Sequence, residues 1–219
     1  MKKRYLIALA LLILLSTYSL QNNPLHYFKL NIKNIFVENN LIIEKEKVID
    51  KLNFLYNTNL FLLNMSGVKS KLSEIEFIKS FEIKKIYPDS IQITIYEKEP
   101  VAILQNKKQK KYFTRDGNII NFQELERFNH LPIVFGDHKN FKIFYNDLIS
   151  INFPINQIKK YYLFETQRWD LITNKKQTIK LPAKNYTKGL KNFLEIKDQT
   201  SFKKYLIFDY RINNQLILK

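Results

Sequence analysis

Three histidines, His26, His130 and His138, are the only imidazoles in the chain, and metal-binding or general-base chemistry would have to start from them. His130 and His138 flank a short apolar run with Asp137 beside it, but their spacing fits no compact ligand motif, and surface loops account for them. A serine nucleophile needs a Gly-x-Ser-x-Gly elbow, which is absent, and Ser66-Gly67 reads as the start of a helix. Carboxylates stand mostly beside lysines, as in Glu44-Lys45-Glu46-Lys47, a solvated helix entry. The glycines Gly67, Gly117, Gly136 and Gly189 lie far apart, so no loop is built to cradle a phosphate. Trp169, at a strand start, reads as core rather than as a stacking platform, because large aromatics dominate core burial. There is no cysteine, which excludes thiolate chemistry and disulfide staples. No catalytic constellation results, and the residues call for no metal, cofactor or small-molecule substrate.

The remaining chemistry is recognition. A formal charge of +16 invites a nucleic-acid reading, since basic proteins neutralise phosphates. The lysines, however, are spread along the whole chain and fall at strand positions expected to face water. Richness in Lys, Asn, Ile, Phe and Tyr with 4 glycines matches the codon bias of an AT-rich genome. Composition therefore explains the charge without nucleic acid, and anionic lipid headgroups are the alternative partner. A second recognition feature is the apolar run 215–218, which reads either as an ordinary closing strand or as an open sheet edge with nothing after it to cover it. Open edges bind partners by adding a strand.

These features must be positioned by something. Lys2, Lys3 and Arg4 precede an uncharged apolar run over 5–20, which is either a cleaved secretory signal or a retained membrane anchor. At ~1.5 Å per residue the run reaches roughly 24 Å, short of a ~30 Å hydrocarbon core. The ending Ser16-Thr17-Tyr18-Ser19-Leu20-Gln21 is a poor cleavage site, which favours an anchor, with 1–4 cytoplasmic and the rest exported.

After a tether over 21–27, residues 28–37 read as a strand, 44–55 as an amphipathic helix with Val48, Leu52 and Leu55 on one face, and a shorter helix follows, capped by Asn64 or Ser66. Two runs then flank the turn Tyr87-Pro88-Asp89-Ser90; in the second, Ile91, Ile93 and Ile95 alternate with polar residues. The order β-α-α-β-β is a compact α+β unit. The motif Ile78-x-x-Phe81-x-Ile83-Lys84-x-x-Tyr87-Pro88-Asp89-x-Ile91-x-Ile93-x-Ile95-x-Glu97-x-x-Pro100-Val101-Ala102 resembles the FtsQ/DivIB family of bacterial cell-division proteins, and the unit resembles a POTRA domain. A turn glycine usual in that family is replaced in Glu38-Asn39-Asn40, where Asn39 or Asn40 would take the left-handed conformation.

From 101 onward the chain reads as mostly strand: a run at 101–104, a hairpin at 111–120 around Asp116-Gly117, then strands at 131–136, 158–164, 169–172 and 178–181 continuing as a meander. A helix over 185–194 and strands at 205–211 and 215–218 follow. The resemblance implies a POTRA domain over 28–98 and a mostly antiparallel β domain over 99–219, joined at the 78–104 segment. It further implies a single-pass inner-membrane scaffold at the division septum, its C-terminal part periplasmic, that holds FtsB and FtsL, with the POTRA domain contacting other division proteins. In the family the last strand and the preceding Asp-x-Arg segment receive FtsB, which implicates Tyr210, Arg211, Gln215, Leu216, Ile217 and Leu218 here; the Arg211 fork suits a carboxylate. The competing reading is a POTRA-bearing factor of outer-membrane assembly or secretion, which would normally carry several such units or a barrel.

Overall fold

A computed structural model describes residues 2–16, 30–106, 109–212 and 214–219. The tether, His26, the start of the first expected strand and the end of the apolar run lie outside them. Helix α1 (Lys2–Ser16) holds most of that run, and among the described residues no helix is long and apolar enough to cross a membrane. The chain divides into two compact units, Met1–Tyr96 and Glu97–Lys219.

In the first unit, β1 (Asn34–Glu38), α2 (Lys45–Lys51), α3 (Met65–Ser73), β2 (Ile78–Ile86) and β3 (Ser90–Glu97) follow the β-α-α-β-β order. β1 inserts beside β3 in parallel, giving the sheet order β1-β3-β2. Alternation does what it predicts: Ile91, Ile93 and Ile95 are fully buried, as are Val48, Leu52, Val68 and Leu72 of the helical stretches. The first helix is shorter than expected, because after Lys51 the chain tightens into a 3-10 turn over Asn53–Leu55 that still buries Leu55. Asn64, not Ser66, caps α3: its Oδ1 accepts from the N–H groups of Ser66 and Gly67 at 3.0 and 3.3 Å. Asn39 takes the left-handed turn at φ 60° and its side chain donates to the Ile95 carbonyl at 2.8 Å, so an asparagine does the work of the missing glycine.

The second unit corrects two expectations. Residues 138–150, between two expected strands, carry no expected element and form a helix, α4 (His138–Ser150), capped by Asp137. The strands do not simply meander. They are β4 (Pro100–Asn106), β5 (Gln109–Thr114), β6 (Ile119–Asn121), β7 (Ile133–Phe135), β8 (Ile158–Leu163), β9 (Trp169–Thr173), β10 (Thr178–Lys180), β11 (Ile207–Asp209) and β12 (Ile217–Leu218), with α5 (Tyr186–Ile196) between β10 and β11. They pair in the order β12-β11-β10-β9-β8-β7-β4-β5-β6. Five of these pairings are antiparallel and three parallel: β4 with β7, β7 with β8, β10 with β11. Parallel neighbours need a crossover, and α4 and α5 supply two of them.

Register sets one continuous inward row across seven strands: Leu104, Val134, Tyr161, Leu171, Ile179, Phe208 and Leu218. α4 and α5 cover that row. Phe141 touches Phe113, Tyr161 and Trp169 at ring distances of 4.9, 5.3 and 6.0 Å, and Phe144 stacks on Trp169 at 4.7 Å. Tyr186 of α5 donates its hydroxyl to Asp147 of α4, tying the helices together. Truncating Phe141 to alanine opens a cavity at the centre of this cluster. Phe141→Ala is expected to destabilise the second unit by about 3–5 kcal/mol, read in urea by fluorescence of the adjacent Trp169; a loss under about 1 kcal/mol would show that the cluster is not its core.

Candidate functional site

The sheet edge at β12 is where backbone geometry offers a binding surface. Ile207 and Lys219 exchange both of their N–H to carbonyl bonds, at 2.9 and 3.1 Å. In an antiparallel ladder such exchange recurs every second residue, so Ile217 faces β11 while the N–H and C=O of Leu218 point away from it. Among the described residues no strand lies beyond β12. The Leu218 and Leu216 side chains pack against the core, while Ile217 stays exposed on the opposite face of the sheet.

Behind that edge, the segment leaving β11 is locked in place. Asp209 accepts from the Arg211 backbone N–H at 3.1 Å, from Nε at 2.8 and 3.0 Å and from Nη2 at 2.6 Å. Residues two apart on an extended chain share a face, which is why the pair can close on itself. Arg211 beside it holds the Asp209 carboxyl below its ordinary 3.8, and Asp209 in turn raises the Arg211 guanidinium. Tyr210 points the other way. It is 8% exposed, lies against Gly189 of α5, and donates its hydroxyl to Asn192 at 3.1 Å. A Cβ at Gly189 would sit 3.0 Å from the Tyr210 ring, so the absent side chain is what lets β11 approach α5. Burial pushes the Tyr210 hydroxyl pKa up.

An open groove of about 270 Å³ runs beside the edge, floored by Gly189 and Tyr210 and walled by Pro182, Ile212 and Leu216; Lys188 reaches across it to Asn214 at 3.0 Å. On the outer face, register places Asp170, Lys180, Asp209 and Ile217 in one row. Charges of alternating sign therefore lead up to the apolar edge residue. Asp170 is buried with Arg168 at 3.9 Å, and its carboxyl is pushed up, by burial first, against the opposing pull of Arg168 and Lys180.

His138 Nε2 is 2.9 Å from the Gly117 carbonyl at the start of α4, and His130 lies exposed. No group of three metal-ligating side chains comes together among the described residues.

Comparison with known families assigns both units. The POTRA domain, FtsQ-type, matches residues 30–98, and the Cell division protein FtsQ/DivIB, C-terminal, domain matches residues 102–211. The chain belongs to the FtsQ/DivIB family of cell division proteins. It is 30% identical over 166 residues to Cell division protein FtsQ of Rickettsia bellii, covering 75% of this chain and 61% of that protein. Similarity to the FtsQ of Rickettsia typhi is 24% over 200 residues, covering 86% and 72% of the two chains. The FtsQ of Agrobacterium fabrum is 20% identical over 192 residues, covering 86% and 61%. This FtsQ/DivIB chain thus spans about six-tenths of the Rickettsia bellii protein that it matches. Among solved structures, the major extracytoplasmic domain of DivIB from Geobacillus stearothermophilus aligns at a TM-score of 0.32 and 9% identity, over 48% of this chain and 96% of that one.

The family match ends at Arg211, so β12 lies past it. Of the residues singled out in this FtsQ/DivIB chain, Leu216, Ile217 and Leu218 share the edge and Gln215 precedes it in the groove wall, whereas Tyr210 is committed to α5 and Arg211 to Asp209. Sequence reading missed Asp209 as the cis partner of Arg211, although the Asp-x-Arg spacing was the signal. It also missed Gly189, whose signal was a glycine inside a helix with no turn to serve.

An acid whose folded pKa is depressed contributes stability that is present above its ordinary value and lost as pH falls through the lower one. Asp209 therefore secures this segment at neutral pH and releases it only in acid, while Asp170, with its raised pKa, opposes that loss by gaining its proton early. Carboxyl carbon shifts followed by NMR are expected to place the Asp209 midpoint below 3.8, moving towards it in Arg211→Gln. A midpoint at or above 3.8 in the unaltered chain would contradict the clamp.

Proposed function

We propose that this chain is a non-enzymatic scaffold of the division machinery, held in the inner membrane by its N-terminal apolar segment, with both units in the periplasm, and that it docks the FtsB and FtsL partners at the β12 edge. The observation that carries the reading is the outward-facing backbone of β12, an edge backed on one side by the core and flanked by a groove. Such an edge supplies affinity through main-chain bonds and selectivity through alternate side chains. On this reading Leu216, Ile217, Leu218 and Gln215 meet the incoming strand directly. Tyr210 and Arg211 act from behind, Tyr210 by fixing β11 against α5. Arg211 holds Asp209 through Nε and Nη2, and its guanidinium side chain stays partly exposed.

The make-up of the second unit, a sheet packed by helices on one face and ending in an edge strand, is consistent with that scaffold reading. The first unit contributes a POTRA-type surface for further division proteins.

Depletion in cells distinguishes the role: filaments without septa are expected, whereas normal septation with defective outer-membrane proteins would favour the assembly-factor reading. At the level of the edge, Leu218→Pro removes an N–H that points outward and leaves the exchange between Ile207 and Lys219 intact. Binding to FtsB in a pull-down is expected to fall at least about tenfold, more than 1.4 kcal/mol, with an unchanged circular dichroism spectrum. Full binding by the variant would remove β12 as the docking strand.

A further inference from the structure

The first unit exposes more apolar surface at one end than its core requires. Phe61, Leu62 and Tyr87 are 52, 70 and 57% exposed, and Phe54 and Met65 are about half exposed. They form one tip. The rings of Phe61 and Tyr87 lie 5.3 Å apart, and Phe54 reaches the first turn of α3 beside Met65. Lys85 donates to the Phe61 carbonyl at 3.4 Å, and Lys33, well exposed, stands 3.5 Å from Asp89 at the same end. Patches of exposed aromatic and aliphatic side chains rimmed by lysine mark contact with another phase or another molecule.

The route of the chain selects between them. Leu60 donates to the Leu30 carbonyl at 2.8 Å and Ile32 to the Thr58 carbonyl at 3.0 Å, so the loop carrying Phe61 and Leu62 is paired with the residues by which the chain enters the unit. If residues 5–20 are the anchor, nine residues, 21–29, separate it from Leu30. Fully extended they reach at most about 30 Å. The tip is thus the part of the unit tied most closely to the bilayer, and its composition is that of an interfacial surface, with aromatic rings at headgroup depth and lysines for anionic headgroups.

We infer that the Phe61, Leu62 and Tyr87 tip of the first unit rests in the headgroup layer of the anionic bilayer that holds the N-terminal segment, with Lys33 and Lys85 facing the lipid phosphates. This rests on the anchor reading above. It gives the unit a fixed orientation on the membrane, and leaves its other surfaces for proteins.

The absence of cysteine makes a single-label test direct. Ser66→Cys, beside the tip, and Lys45→Cys, past the far end of β1, each carry an environment-sensitive NBD dye on the full chain, reconstituted into phosphatidylglycerol-containing vesicles. The dye at 66 is expected to emit to the blue of the dye at 45, and to lose that shift when Phe61 and Leu62 are both serine while the chain still pellets with the vesicles. Both replaced side chains are exposed, so folding is checked by circular dichroism alone. A chain that pellets with both dyes equally in water overturns the tip contact, leaves the anchor standing, and frees the patch for a protein partner. A chain that stays in the supernatant overturns anchor and tip together. An equal blue shift in pure phosphatidylcholine overturns the part assigned to Lys33 and Lys85.

Discussion

The second unit depends on a single row of side chains. Leu104, Val134, Tyr161, Leu171, Ile179, Phe208 and Leu218 lie side by side across seven strands, and each must point to the face that α4 and α5 cover. Strand side chains alternate with period two, so a slip of one residue in any pairing would move that strand's apolar residues into water. The row thereby fixes register from β4 to the sheet edge. With no disulfide in the chain, side-chain burial together with the ladder hydrogen bonds holds that register.

The edge inherits its geometry from the same row. Because Leu218 is drawn inward opposite Phe208, Ile217 must point out beside Asp209, and the main-chain groups of Leu218 must turn from β11. The Asp209–Arg211 clamp and the Tyr210–Gly189 contact then hold the segment leaving β11 in place. The outward backbone of the edge and the packing of the core are two faces of one register.

Much of this was legible in the sequence where the signal is local. The alternating isoleucines of β3, the Asp-Gly turn, the asparagine at Glu38-Asn39-Asn40 and the last strand all announce themselves within a few residues. Helix α4 did not. Phe141, Phe144, Tyr145 and Leu148 have helical spacing, but Ile143 and Ile149 fill the wet face, and the aromatic, β-branched and asparagine residues of the segment are weak helix formers. The three parallel pairings were hidden for another reason: nothing within a strand names a partner thirty residues away. At the edge, the residues could be read but not their allegiance. Whether Arg211 serves a neighbour or a visitor is decided by Asp209 two positions earlier, a contact within the chain that a search for intermolecular charge overlooks.

The brevity of β12 has a consequence for crowding. A two-residue strand offers a second copy of itself too few main-chain bonds to hold. Copies gathered in one small zone can therefore leave this edge bare without sticking edge to edge. Under the docking proposal, a partner would gain from so short an edge only by bringing further contacts to the groove beside it, so the shortness that guards against self-aggregation would also select the partner.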